Sequence, residues 1–283
     1  MADKKTILVV GATGKQGGAT LRHLAKHGGF KLRGMTRNPS SDAAKALVEL
    51  GVELVKGDLA DKTSLENAIG SAWGVFGVQN TWEAGVEKEE TQGKRLVAVA
   101  RERGVQHFVY TSVGSAHKKT GIPHFDNKAR VEDTVRAAGF TAYSILRPVF
   151  FMENLVSPWF LQGDKLMTAM KPTTKLQMIA SDDIGKFGAA AFIDSAKWNR
   201  AEVDLAGDAV TMLDAATAVS SILGKEISFE ALPIDAVRKN SEDMALMLEW
   251  FENVGYSADI AALQAKWGIQ PLTLEQWAAN QKQ

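Results

Sequence analysis

The sequence contains no cysteine. That excludes a disulfide framework, a thiol nucleophile, a thiol redox switch and any cysteine-ligated zinc or iron–sulfur site. An excess of either charge is also missing: 33 Lys plus Arg stand against 33 Asp plus Glu in 283 residues. The chain as a whole therefore has no general attraction for nucleic acid or an anionic membrane. No run approaches the roughly 20 apolar residues that span a bilayer; the longest candidate, Phe187 to Ile193, is short and alanine-rich. At the N-terminus, Lys4 and Lys5 precede only Ile7 to Val10 before glycine interrupts, too short for the apolar region of a signal peptide. A cytoplasmic protein with no direct nucleic-acid or membrane partner is expected.

What is present is an ordinary globular composition, 45% apolar and 23% charged. The charges are unevenly spread. Residues 1–40 carry eight basic groups and one acidic; residues 226–283 carry four basic and nine acidic. The first 150 residues alternate short β-branched runs with segments of helical period. Strands are expected at Thr6–Val10, Lys31–Thr36, Glu53–Gly57, Gly74–Val78, His107–Ser112 and Ala142–Arg147. Helices are expected near Gly17–Lys26, Asp42–Leu50, Ser64–Ile69, Glu87–Arg103 and Phe125–Ala138. Strand–helix units of about 30 residues imply crossover connections, and strands that are nearly continuous in apolar residues imply a parallel sheet covered on both faces. The fold class is α/β, a doubly wound parallel sheet with a smaller α+β C-terminal lobe.

After Pro148 the pattern loosens. Residues 155–175 read as loop; a helix begins at Ser181-Asp182-Asp183, three good N-cap types, and runs to Ile193 with small residues that suit close packing on a sheet. Strand-like Glu202–Leu205 and Ile227–Ala231 mix with helices near Asp214–Leu223 and Glu242–Tyr256. The expected organisation is a first domain over residues 1–154, to which 176–200 return, and a lobe from 155–175 and 201–283.

The strongest local signal is Gly11-Ala12-Thr13-Gly14-Lys15-Gln16-Gly17-Gly18, directly after the first strand and opening the first helix. Gly11 allows a tight exit from the strand, Gly14 lets backbone approach a pyrophosphate, and Gly17 lets helix pack on strand. The phosphates would then meet the open N–H groups of the helix N-terminus. A dinucleotide is implied. At the end of the second strand, where NAD-binding folds carry a carboxylate for the ribose, the chain reads Thr36-Arg37-Asn38-Pro39. Arg37 suits a 2′-phosphate through two parallel hydrogen bonds, so NADP(H) is favoured over NAD(H). Asp58 after the third strand fits either an adenine contact or a helix N-cap, and Asn80 lies on the rim after the fourth.

An ordinary short-chain dehydrogenase would carry Tyr-x-x-x-Lys after the fifth strand. Here there are three tyrosines, and Tyr110 is followed four residues on by Gly114, Tyr143 by Arg147 and Tyr256 by Ile260. The pair is absent. What stands there is His124-Phe125-Asp126-Asn127-Lys128, with His124 and Lys128 at helical i and i+4. Lys128 fits the ribose-binding lysine. His124 could carry a proton, or simply contact backbone or solvent at a helix start. Thr111 and Ser112 could face a nicotinamide or only close the strand. His23, His27, His107 and His117 lack carboxylates at ligand spacing and read as surface residues, and no metal-ligand cluster stands out.

These segments, with Arg147-Pro148, Glu153-Asn154-Leu155 and the tail Leu272-Thr273-Leu274-Glu275-Gln276-Trp277, resemble the NmrA-like branch of atypical short-chain dehydrogenases over nearly the whole chain. The resemblance implies a Rossmann domain with a smaller lobe, bound NADP(H), and an interlobe cleft for a small planar substrate or a protein partner; the oligomeric state is left open. By position it makes Thr13, Gln16, Arg37, Asn80, Lys128 and Asn154 cofactor contacts. Members of the family divide between sensors of the NADPH/NADP⁺ ratio that regulate a partner and NADPH-dependent reductases of quinones, dyes or related planar acceptors. A sensor would use Gly114–Pro123 and Leu161–Thr174 as segments that rearrange. A reductase would use Trp82, Phe150, Phe151, Met152, Trp159 and Phe160 as a pocket for a flat ring, although such clusters also serve as plain packing core. A scaffold without cofactor is disfavoured by the intact glycine turn and Arg37. Without cysteine, any redox sensing must pass through the dinucleotide.

Overall fold

The computed structural model describes residues Lys4–Gln281. The chain runs β1 (Thr6–Val10), α1 (Lys15–His27), β2 (Lys31–Thr36), α2 (Asp42–Glu49), β3 (Glu53–Lys56), α3 (Lys62–Ile69), β4 (Gly74–Gly77), α4 (Thr81–Ala84), α5 (Val86–Glu102), β5 (His107–Thr111), α6 (Pro123–Ala137) and β6 (Ala142–Pro148). Then follow β7 (Phe150–Phe151), β8 (Leu161–Gln162), β9 (Lys165–Thr168), β10 (Lys175–Ile179), α7 (Ser181–Ile193), β11 (Ala201–Leu205), β12 (Asp208–Thr211), α8 (Met212–Leu223), β13 (Ser228–Ala231), α9 (Ile234–Arg238), α10 (Glu242–Asn253), α11 (Ile260–Trp267) and α12 (Leu274–Asn280).

The central sheet has the order β11-β6-β5-β4-β1-β2-β3, and β1 to β6 pair in parallel. Ile7, Leu8, Val9 and Val10 are fully buried because β1 lies mid-sheet with both faces covered. The chain winds from β1 to β3 in one direction, then returns to β4 on the other side of β1. That reversal makes the carboxyl ends of β1 and β4 the crevice where doubly wound sheets bind ligands. The helices start where local chemistry lets them: Ser41 accepts from the Ala44 N–H to begin α2, and Asp61 accepts from Thr63 and Ser64 to begin α3. Asp58 is thus not the cap of α3; its carboxylate closes a turn on the Ala60 N–H at 2.8 Å.

The described residues divide into two compact units: one holds the chain to Ser112 with Asn127–Arg147 and Ile184–Val203, the other Val113–Asp126, Pro148–Asp183 and the chain from Asp204. These units depart from the expected organisation: 113–126 and 148–154 fall in the second unit, and the segment that returns to the first is 184–203 rather than 176–200. The small-residue face of α7 does pack closely, but largely on a helix: a Cβ on Gly185 would lie 2.5 Å from the Ala19 Cβ of α1, and one on Gly188 2.8 Å from the Phe76 ring of β4.

The second unit contains two three-stranded sheets, β12-β10-β7 and β13-β9-β8. Its apolar core includes Phe125, Phe150, Met178, Leu248, Phe251 and Trp277. Residues 155–175, expected as loop, contain the β8–β9 hairpin around Gly163 and Asp164, with Gly163 at φ +65°. Strands of two and four residues are too short for alternation to show. Phe150 and Met152 belong to this packing core, and Phe160 packs against it. No described helix is long and apolar enough to cross a membrane.

Candidate functional site

The turn between β1 and α1 is built by space. Gly11 sits at φ +62°, a left-handed conformation that glycine adopts without steric cost, and a Cβ there would lie 2.9 Å from Val78 Cγ1. The Gly14 N–H donates to the Gly11 carbonyl at 2.9 Å. A Cβ on Gly17 would come within 2.3 Å of that same carbonyl oxygen, so only hydrogen fits where helix meets strand. Gly14 is the N-cap of α1, and it supplies no side-chain acceptor to the first turn, which also carries no acidic residue. Thr13, Gly14 and Lys15 are exposed. The result is a tight, open cradle at a helix N-terminus whose N–H groups and dipole favour an anion.

A hydrogen bond ties this cradle to the next strand but one in the sheet: the Thr111 Oγ1 at the end of β5 donates to Gln16 Oε1 at 2.5 Å. Beside it lie buried polar groups without hydrogen-bond partners among the described residues, the Ser112 hydroxyl and both polar atoms of the Gln79 side chain. An unpaired buried polar atom costs about 1–3 kcal/mol. Three such atoms after β4 and β5, on the edge where the switch-point crevice lies, fit a site made to take a polar ligand.

Lys128 is held from within. Its Nζ donates to Glu89 Oε1 at 2.7 Å, and the other Glu89 oxygen accepts from Asn127 Nδ2 at 2.9 Å and from the Thr81 hydroxyl. Glu89 and Lys128 are both buried. Burial pushes the Glu89 carboxyl up, but the Lys128 ammonium and the hydrogen bonds from Lys128, Thr81 and Asn127 outweigh it and hold it below the ordinary glutamate value. The Glu89 carboxylate is therefore charged at neutral pH. Glu89 escaped the sequence reading because it sits in the charged run Glu87-Lys88-Glu89-Glu90, which reads as a solvated face. Its spacing was the available signal: 89, 93, 96, 97 and 100 form one buried stripe of α5.

Arg37, directly after β2, pairs with Glu83 of α4, and both side chains are largely exposed. Asn80 caps α4 by accepting from the Trp82 N–H at 3.2 Å. Asp58 is exposed in its own turn. The structure thus brings Gly11, Thr13, Gly14, Gln16, Gly17, Arg37, Asp58, Asn80 and Lys128 into one unit. His124 and Asn154 belong to the other.

In that second unit His124 is buried and its Nδ1 lies 2.5 Å from Asp243 Oδ2, while its backbone N–H donates to Asp243 Oδ1 at 3.1 Å. The expected alternatives of a backbone or solvent contact are replaced by a carboxylate 119 residues along the chain. Asn154 closes a 3-10 turn, its carbonyl accepting from the Ser157 N–H and hydroxyl. Glu153 beside it accepts from the Ser181 N–H and hydroxyl at 2.9 and 2.8 Å, so the start of α7 is met by a distant glutamate.

One histidine expected at the surface lies inside the first unit. His107 is fully buried, because β5 is interior; its Nε2 lies 3.3 Å from Ser144 Oγ, and burial together with the Lys5 charge pushes its pKa down to about 4. The Tyr110 and Tyr256 hydroxyls are both pushed up by burial, and Tyr110 has no hydrogen-bond partner among the described residues. Among the described residues no group of three or more His, Asp or Glu could hold a metal ion.

Residues 3–279 match the model of the NmrA-like family. An NmrA-like family domain-containing oxidoreductase of Aspergillus hancockii is 29% identical over 255 residues, covering 82% of this chain and 76% of the relative. Among solved structures, the NADPH-dependent quinone oxidoreductase QOR2 of Escherichia coli, complexed with NADPH, superposes with a TM-score of 0.80 at 21% identity, covering 97% of this chain and 99% of that one. NmrA, a negative transcriptional regulator, in complex with NADP gives 0.78 at 21%, covering 97% and 94%. At these identities the two structures show a shared fold.

Proposed function

The chain belongs to the NmrA-like family, and from that premise we propose that it binds NADP(H) along the carboxyl ends of β1, β2 and β4. One observation carries this reading: the Gly11–Gly17 cradle, where a Cβ on Gly17 would collide with the Gly11 carbonyl and where the first turn of α1 has no side-chain cap. Arg37 after β2 would take the 2′-phosphate, Asn80 and Gln79 would line the rim, and Lys128, fixed by Glu89, would hold the nicotinamide ribose. Asp58 is committed to its turn, and its outward oxygen is left for the adenine amino group.

Two uses of the cofactor have support. The first is NADPH-dependent reduction of quinones, dyes or similar planar acceptors, supported by the named activities of the Aspergillus relative and the Escherichia coli neighbour. Bound NADPH supplies a hydride. The chain contributes orientation: Thr111 and Gln16 fix the strand end, and Glu89 holds the Lys128 side chain in place. An electron-poor acceptor needs no strong proton donor, which is why this substrate class suits the site.

The second use is sensing of the NADPH/NADP⁺ ratio and regulation of a partner protein. It draws on the missing Tyr-x-x-x-Lys pair, on the resemblance of the same segments to a human NADPH sensor of the family, and on the named role of NmrA. A sensor must bind one form better, since equal affinity shifts no population.

Titration calorimetry with NADPH, NADP⁺ and NADH tests the common reading. NADPH should bind at least about tenfold more tightly than NADH, as expected for a charge-assisted contact to the 2′-phosphate. No binding of any dinucleotide would overturn it. Steady NADPH oxidation with quinones or triarylmethane dyes, lost on Lys128→Ala, establishes the reductase; no turnover, with unequal affinities for NADPH and NADP⁺ and an altered protease pattern, establishes the sensor.

A further inference from the structure

We infer that Glu83 is a specificity-determining residue: its carboxylate occupies the Arg37 guanidinium when no 2′-phosphate is there, and competes with that phosphate for it. The inference rests on the reading that Arg37 takes the 2′-phosphate of NADP(H).

The argument begins with the short helix that carries Glu83. The segment is pinned at two other points: Asn80 caps it through the Trp82 N–H at 3.2 Å, and the Thr81 hydroxyl donates to the buried Glu89. Gly85, at φ +81°, then turns the chain into α5. Glu83 is thus presented from a fixed position, and the partner it meets is Arg37. In strand order β1 lies between β4 and β2. A bridge from the segment after β4 to the residue after β2 therefore passes the carboxyl end of β1, where the glycine cradle begins.

Carboxylate and phosphate recognise the same feature, the planar fork of a guanidinium, and one fork edge cannot serve both. Placed side by side, a carboxylate and a phosphate dianion also repel. The pair is weak enough to be replaced: the two side chains are 64% and 50% exposed, and solvent-exposed pairs contribute up to about fivefold in an equilibrium. NAD(H), which has a hydroxyl in place of the phosphate, leaves the pair intact. Glu83 consequently lowers affinity for NADP(H) while leaving affinity for NAD(H) alone, and it narrows a preference that Arg37 by itself would make steeper.

The test titrates the full chain with NADPH, NADH, adenosine 2′,5′-bisphosphate and AMP, in the wild type, Glu83→Gln, Arg37→Ala and the double variant. Glu83→Gln should bind NADPH and the bisphosphate about three- to fivefold more tightly, leave NADH and AMP within about 1.5-fold, and lose its effect in the Arg37→Ala background. If Glu83→Gln leaves NADPH unchanged or weakens it while Arg37→Ala still selectively weakens NADPH, the role of Glu83 is wrong and the cofactor reading stands. Equal tightening of NADPH and NADH would reduce Glu83 to a general charge effect and overturn the inference. An Arg37→Ala variant that binds both dinucleotides as the wild type does would instead overturn the 2′-phosphate reading on which this rests.

Discussion

The two units of this chain solve the problem of a stable interior with different materials. In the first, charges are buried among the apolar residues: Glu89 with Lys128, and Arg147 with Glu132 at 2.8 and 2.7 Å, joined by Arg136 and Glu202. In the second, the centre is a cluster of rings, with Phe251 5.1 Å from Tyr256 and 6.0 Å from Trp250, and Phe125 5.8 Å from Trp250. Buried ion pairs are seldom better for stability than apolar groups of the same shape. Rings in contact bury large areas with no such desolvation cost. The contrast therefore separates positions that hold a charged group in place from positions that only fill space. Glu89 holds the one lysine expected to touch cofactor, whereas Phe251 has no polar atom to aim.

The largest expected effect comes from breaking the buried pair on one side. Glu89→Ala leaves the Lys128 ammonium buried and unpaired and should cost about 3–5 kcal/mol, seen as a fall of roughly 10 °C in the thermal midpoint. Replacing both partners, Glu89→Met with Lys128→Met, should recover most of that stability yet leave dinucleotide binding weak. If the single variant lost less than about 1 kcal/mol, the pair would be an ordinary surface contact and the contrast between the units would collapse.

The matching change in the second unit is Phe251→Ala, which opens a cavity among Phe150, Trp250 and Tyr256 and should cost about 3–5 kcal/mol. Because no titrating group is removed, the loss should be the same at pH 5 and pH 8 in denaturant melts. A pH-dependent loss would show that this core also carries charge-linked contacts.

Titration sharpens the comparison from the other side. The His107 imidazole titrates at about 4 in the fold and 6.5 when exposed, so the folded state keeps it neutral. As pH falls, the unfolded chain takes up the proton first. The stabilisation is complete above pH 6.5 and falls away between 6.5 and about 4, by at most about 3 kcal/mol. His107→Asn should flatten the stability profile over that window. Glu202, held at about 2 chiefly by hydrogen bonding to Arg136 against the opposing effect of burial, acts later; its contribution is present above 4.5 and is lost as pH falls toward 2. A wild-type profile already flat from 6.5 to 4 would remove the buried histidine from this account.

The same division governs what could be read from the sequence. In the first unit, β1 is legible because a strand covered on both faces is a continuous apolar run, and the glycine spacing reports directly on backbone space at Gly17. Partners set by tertiary distance were not legible. Glu83, Glu89 and Asp243 meet Arg37, Lys128 and His124 across 46, 39 and 119 residues, and nothing local marks a surface-looking carboxylate as the partner of a given cation. In the second unit β13 was legible as the expected Ile227–Ala231, but the β8–β9 hairpin was hidden. The β8–β9 hairpin has only its Gly163-Asp164 turn to announce it, a recognised two-residue hairpin signal that Pro158 and Pro172 on either side obscured. His107 was misread for a related reason: a polar residue opening an interior strand looks like a strand end at the surface, until Trp73 and Phe192 close over it.

The smallest effect expected is also the most local. Thr111→Val keeps the β-branched shape at the end of β5 and deletes one hydrogen bond, that to Gln16 Oε1. Stability should fall by only about 0.5–1.5 kcal/mol, the net worth of a single bond. Binding should respond out of proportion, because Gln16 lies in the first turn of α1, between the glycines of the cradle, and its orientation is set by that hydroxyl. A loss in NADPH affinity larger than the loss in stability, with the secondary structure unchanged by circular dichroism, would place Thr111 among the groups that aim the site. Equal losses would make it a strand-end contact like any other.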